Sequence, residues 1–110
     1  MMPDVSIVVP IHNEFENLPQ LHAEVCDAFD GRKYSFELIL VDDGSSDGSV
    51  DIIKQLVAQD DRVKSVVLRR NFGQTAAMQA GIDHAQGQVL VTLDGDLQNA
   101  PADIPMMLEV

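Results

Sequence analysis

Basic residues are scarce: seven Lys and Arg stand against eighteen Asp and Glu, a formal net charge of −11 over 110 residues. A field of that sign repels nucleic acid and anionic lipid, so neither is an expected partner, and a polyanionic ligand needs a cation to bind. Only one cysteine is present, Cys26. It excludes an internal disulfide framework and a multi-cysteine zinc site and agrees with a reducing, cytoplasmic setting. No apolar run reaches the roughly 18 residues of a membrane helix, and the amino-terminal MMPDVSIVVP lacks the basic flank and cleavage site of a signal peptide. Both common phosphate cradles are also missing: no GxGxxG follows the first apolar run, and no GxxxxGK precedes a Ser or Thr. Dinucleotide cofactors and P-loop hydrolysis thereby lose their support. There is no low-complexity linker and no solenoid period.

What is present folds as one domain. Hydrophobic residues make up 45% and charged residues 23%, ordinary for a soluble globular protein, and a chain of this length buries a modest core. VSIVVP (5–10) is a nearly continuous β-branched run, as in a parallel strand covered on both faces. Asn13 with Glu16 resembles an N-cap and its return partner, and Phe15, Leu18, Leu21, Val25 and Phe29 recur at helical spacing, which predicts a helix over 14–29 closed by Asp30-Gly31. The alternation continues. FELILV (36–41) predicts a strand, Val50, Ile53, Leu56 and Val57 a helix, 63–68 a strand, Thr75, Met78, Ile82 and Ala85 a helix with Gly87 at its exit, and 89–93 a fourth strand. Such alternation predicts βαβ crossovers, an open parallel sheet and helices on both faces. The carboxyl ends of the strands then form the ligand crevice, and the loops after strands one, two and four, PIHNE, DDGSSD and DGDLQN, converge there. The end PADIPMMLEV begins a helix and stops, which leads us to expect the amino-terminal piece, 1–110, of a longer domain.

Asp94, Gly95 and Asp96 place two carboxylates on alternate residues, with Gln98 next on the same side. On an extended strand the carboxylates lie about 6.6 Å apart, and such a set suits a hard divalent ion that keeps water and phosphate in its other positions. The alternative is a solvated Asp-Gly turn. Asp42-Asp43 ends a strand and either accepts hydrogen bonds from a nucleoside or caps the next helix at its positive end. Asp43-x-Ser45-x-Asp47-Gly48 approaches a calcium loop, but Lys54 stands where the bidentate glutamate belongs. His12, His22 and His84 show no metal spacing. His22 and His84 read as helix-surface residues, and Cys26 as a small apolar packer. Arg69-Arg70 either steadies a phosphate or flanks a loop.

Taken in order, VSIVVPIHNE, LILVDDGSSDGS, LRRNFGQTAAMQAG and VTLDGDLQNAP resemble the nucleotide-sugar-binding half of family 2 glycosyltransferases, in particular the branch that charges polyprenyl phosphates. The resemblance covers essentially the whole chain. It implies a Rossmann-like GT-A fold, truncated here after the D-x-D loop, and a metal-dependent inverting transferase using a UDP- or GDP-sugar with Mg2+ or Mn2+. It assigns Pro10, His12 and Glu14 to the nucleoside pocket, Val41 and Asp43 to the base, and Asp94 and Asp96 to the D-x-D motif that grips the ribose-diphosphate. Gln98 becomes a third metal ligand and Asp96 the direct, catalytic one. In relatives the position of His12 is often an aromatic such as tyrosine.

The implied parent reaction transfers a sugar to a polyprenyl phosphate or another glycan acceptor, in cell-wall or membrane glycan synthesis. The 110-residue chain alone is expected to be inactive. Membrane attachment would come only from a missing carboxy-terminal part, at the cytoplasmic face, and exposed apolar edges would favour self-association. The alternative is a non-catalytic nucleotide-binding or assembly module with the same fold.

Overall fold

The computed structural model describes residues 2–31 and 34–93. Seven elements alternate: β1 (Val5–Ile11), α1 (Leu18–Phe29), β2 (Phe36–Asp42), α2 (Ser49–Gln59), β3 (Val63–Val67), α3 (Gln74–His84) and β4 (Val89–Thr92). All strand pairings are parallel and the sheet order is β3-β2-β1-β4. The α/β class and the parallel sheet are as expected, and each strand boundary falls within one residue of its expected place.

The period-2 alternation of the strands splits the core in two. Val5, Ile7, Val9 and Ile11 of β1 and Phe36, Leu38 and Leu40 of β2 face α1 and α2, whereas Val8, Ile39 and Val41 face α3 through Ala77. The helices therefore cover both faces. The central strands are sealed, with every β2 residue buried, while among the described residues β4 is an edge on which Val89 and Leu90 stay 43% and 44% exposed.

Two helices differ from their sequence patterns. α1 begins at Leu18 rather than 14, with Pro19 in its first turn, where the missing N–H costs nothing. Asn13 is not its cap. It sits in the left-handed region (φ 56°), and its Oδ1 accepts the Ser46 N–H at 2.8 Å. Phe15 accordingly is 45% exposed instead of joining the core stripe. In α3 the buried face is Ala77 and Gly81, not Met78 and Ile82. A Cβ on Gly81 would overlap the Val8 side chain and come within 3.0 Å of Val41 Cγ2, so the small residues let α3 lie directly on the strands. The helix also ends at His84 with Ala85 as cap. Gly87 serves instead for close approach, its N–H donating to Ser6 Oγ at 2.7 Å. Beside it, Glu37 accepts from Ser6 Oγ and from the Gln86 N–H, which ties the start of β4 to the sheet.

A polar cluster closes the α1–α2 seam. His22 and Cys26, one helical turn apart, meet Asp60, the C-cap residue of α2. His22 thus lies half-buried on the α1 surface at the seam, and Cys26 is not merely an apolar packer. Arg62 donates to both Asp60 oxygens at 2.9 Å and stacks on Phe36, 4.5 Å from the ring centroid. Those bonds hold the Asp60 carboxyl well below the usual carboxylate range, against the opposing effect of burial and with help from His22. Burial first, and the Asp60 charge after it, push the Cys26 thiol up. Because the folded value of Asp60 is depressed, its stabilisation is present above the ordinary carboxylate value of about 4 and is lost as pH falls below it. Urea unfolding is expected to show wild type more stable than Asp60→Asn at neutral pH, with the difference shrinking steadily below pH ~4.

Candidate functional site

The strand order makes β1 and β4 the topological switch point: β1, β2 and β3 progress one way, and β4 returns on the other side of β1. Ligands of open parallel sheets bind outside the carboxyl ends of the strands at such a point. Three of the loops that leave those ends are described, and they are laced together by side chains.

Asp43 is the knot. It is 3% exposed; its Oδ1 accepts the Phe72 N–H at 2.8 Å and its Oδ2 the Gly73 N–H at 3.1 Å. The carboxylate thus holds the turn that leads into α3, whose N-cap residue is Gly73. Its backbone carbonyl accepts from His12 Nδ1 at 2.8 Å. With Nδ1 protonated, His12 Nε2 is left to accept from Asn71 Nδ2 at 3.2 Å. One residue of the β2 loop therefore holds both the β1 loop and the β3 loop. The contact is tight: Gly44 has φ +72°, and a Cβ there would press on the Asn71 amide nitrogen and lie 2.7 Å from the Arg70 carbonyl carbon.

The β1 and β2 loops are stitched on their other side as well. Asn13 N–H donates to Ser45 Oγ at 2.9 Å, Glu14 N–H to Ser49 Oγ at 3.1 Å and Phe15 N–H to Asp47 Oδ2 at 3.2 Å. Although burial raises it, the Asp47 carboxyl is held below its ordinary value by bonds from the Ser49 hydroxyl and the Phe15 and Ser49 amides. Asp42 Oδ2 accepts the Ser45 N–H at 3.2 Å, and its buried Oδ1 has no partner among the described residues.

Of the residues singled out in the sequence, His12 is exposed on this wall, and Pro10 and Glu14 are half-buried beside it. Val41 is wholly buried under α3 and offers packing beneath the wall rather than an open face. Asp94, Asp96 and Gln98 lie outside the described residues. The chain leading to them is fixed, because Leu93, the last one described, is buried and its N–H donates to Val8 O of β1 at 3.1 Å. Arg70 lies over the Phe72 ring, 4.8 Å from its centroid, and both are exposed. Sequence reasoning missed the part played by Asn71, Phe72 and Gly73. A short polar stretch after the third strand was the available signal, but a backbone N–H pair carries no side-chain signature. It also missed His22 and Cys26, whose four-residue spacing on a helix was legible.

Two hollows among the described residues lie elsewhere. Cavities of about 420 and 520 Å³ share Glu37, Asp61, Lys64 and Gln86 in their walls, on the side of the sheet where the strands begin. They lack the convergent loops found where the strands end, the end at which open parallel sheets generally bind ligands.

Comparison with known proteins gives the family and agrees with the fold. The profile described as Glycosyl transferase family 2 matches residues 6–110. The undecaprenyl-phosphate 4-deoxy-4-formamido-L-arabinose transferase of Pseudomonas fluorescens (strain SBW25) is 46% identical over 106 residues, 96% of this chain and 31% of that protein. The enzyme of the same name from Aeromonas hydrophila is 44% identical over 106 residues, 96% of this chain and 32% of its own. The chain thus spans about a third of the length of the curated relatives it matches. Among solved structures, a mannosyltransferase from Pyrobaculum calidifontis in complex with GDP-Man and Mn2+ superposes with TM-score 0.68 at 24% identity, over 87% of this chain and 28% of that one. S. aureus TarS (1–349) in complex with UDP gives TM-score 0.67 at 22% identity, over 87% of this chain and 28% of that one. Likeness at that identity speaks for the fold alone. With the profile covering nearly the whole chain, the protein belongs to glycosyl transferase family 2.

Proposed function

We propose that this chain is the donor-binding part of a glycosyltransferase that moves a sugar from a UDP- or GDP-sugar to a polyprenyl phosphate, with inversion at the anomeric carbon. The observation that carries the reading is the wall built by Asp43 across three loops at the switch point, beside which the described part of the chain ends at Leu93, bonded to Val8 of β1. The names of the curated relatives support a polyprenyl-phosphate acceptor, and the GDP-Man, Mn2+ and UDP of the structural neighbours support a nucleotide-sugar donor and a divalent ion.

Pro10, His12 and Glu14 line the nucleoside side of the crevice, with Val41 packing beneath them. Asp43 keeps that wall rigid and, with the lone pairs its two amide bonds leave free, accepts from the base. Asp94, Asp96 and Gln98 offer two carboxylates and an amide oxygen, a donor set that fits Mg2+ or Mn2+. Bound there, the ion would supply positive charge where the leaving diphosphate gathers negative charge, an effect worth several kcal/mol. Asp96 is the direct ligand in this reading. The acceptor asks little of the protein, because a phosphate monoester with a second pKa of about 6 is already an anionic nucleophile at neutral pH. Among the described residues no helix is long and apolar enough to cross a membrane.

The test is transfer of labelled sugar into undecaprenyl phosphate by a protein of the relatives' length that carries this segment. Mg2+- or Mn2+-dependent incorporation, lost in Asp96→Asn, is the expected result. Tight nucleotide-sugar binding with no transfer in any metal would favour a non-catalytic nucleotide-binding module instead.

A further inference from the structure

We propose that His22, Cys26 and Asp60 form a second cation site, for a thiophilic divalent ion such as Zn2+, on the α1–α2 seam and independent of the nucleotide-sugar reading. Residues four apart on a helix share a face, so α1 presents the imidazole and the thiol side by side. The α2 C-cap brings the carboxylate to them, its backbone fixed by the Asp60 N–H bond to Leu56 O at 3.0 Å. His22 Nε2, Cys26 Sγ and Asp60 Oδ2 lie 2.9, 3.4 and 3.6 Å from one another.

Those separations are close to the edges of a tetrahedron around zinc. Metal–N and metal–O bonds of about 2.0–2.1 Å and a metal–S bond of about 2.3 Å give N···O near ~3.3 Å and both edges to sulfur near ~3.6 Å. The His22–Asp60 edge has to open by about 0.4 Å and the His22–Cys26 edge by about 0.2 Å on the same bond lengths. The hydrogens of Nε2 and Sγ are both directed at one Asp60 oxygen, and an ion would replace those two hydrogens without moving either helix. His22 and Asp60 side chains are 19% and 11% exposed, so the cluster is not sealed from solvent.

Arg62 completes the site from outside. Its Nε bond to Asp60 Oδ1 orients the carboxylate and leaves Oδ2 as the ligand oxygen, the arrangement by which outer partners tune ligands. Its Nη2, now on Oδ2 and 3.4 Å from Sγ, must swing away when the ion enters. A set with one sulfur, one nitrogen and one oxygen selects zinc or cobalt over magnesium and manganese, so the two cation sites differ in kind.

Cobalt titration of the whole chain distinguishes them, because Cys26 is the sole sulfur able to give a thiolate-to-cobalt charge-transfer band. The band should saturate at one ion, disappear on zinc addition, persist in Asp96→Asn and vanish in Cys26→Ser. His22→Gln and Asp60→Asn should each weaken cobalt binding at least about tenfold. In wild type, zinc should slow alkylation of Cys26 at least about tenfold, a measurement that does not depend on any variant folding. Alkylation unchanged by excess zinc, or a cobalt band undiminished in both His22→Gln and Asp60→Asn, would overturn the site.

Discussion

Asp43→Ala should destabilise the domain by about 2–4 kcal/mol. The carboxylate holds two backbone N–H groups, and hydrogen bonds to a charged group contribute about 1.5–3 kcal/mol each, part of which water recovers when the acceptor is removed. For a domain of this size that corresponds to a fall in melting temperature of about 10–25 °C. The cost falls on the wall itself, since the same residue joins the β1, β2 and β3 loops. Asp43→Asn keeps one acceptor oxygen and should cost about half as much. Equilibrium urea denaturation measures both, and a loss below ~1 kcal/mol for alanine would show that the two amides are satisfied without Asp43. A nucleotide-binding defect in Asp43→Ala must therefore be read beside its stability. Asp43→Asn, which preserves more of the clasp, is the better probe of base contact.

The second large effect belongs to Gly44. Alanine in the left-handed region costs about 1–2 kcal/mol through its Cβ alone. Here the Cβ also meets backbone atoms of Arg70 and Asn71, which cannot rotate aside as a side chain would. Gly44→Ala is expected to cost more than about 3 kcal/mol in total and to push the 70–73 segment off the β2 loop, breaking the bonds of Phe72 and Gly73 to Asp43. Amide hydrogen exchange reads that separation directly, as faster exchange at residues 72 and 73. Unchanged protection there would contradict the tight apposition of the two loops.

How much of this was legible in the sequence depended on whether the signal was local. The strands announce themselves because a continuous β-branched run such as VSIVV has one stable use, the buried middle of a parallel sheet. The crevice followed from the alternation of elements, and the family from four ordered motifs. The start of α1 was misread because Asn13 and Glu16 imitate a capping box, whereas Asn13 is taken by Ser46, 33 residues away. The inner face of α3 was misread because Ala77 and Gly81 carry no hydrophobic signal, although their smallness is what lets the helix reach the sheet. Asp43 holds the turn before a helix that begins some thirty residues later, a pairing that the β2–β3 adjacency reveals. Cys26 looked like filler, and Asp60, which turns it into part of a polar cluster, is 34 residues on.

The measurement closest to the central claim is calorimetric titration of UDP and of GDP into this chain, in Mn2+ and again in EDTA. One of the two nucleotides should bind in Mn2+, release no measurable heat in EDTA, and lose its binding in Asp96→Asn. Equal affinity in EDTA, or an Asp96→Asn variant that binds as wild type does, would contradict a cation bridging the acidic segment after β4 to a nucleoside diphosphate.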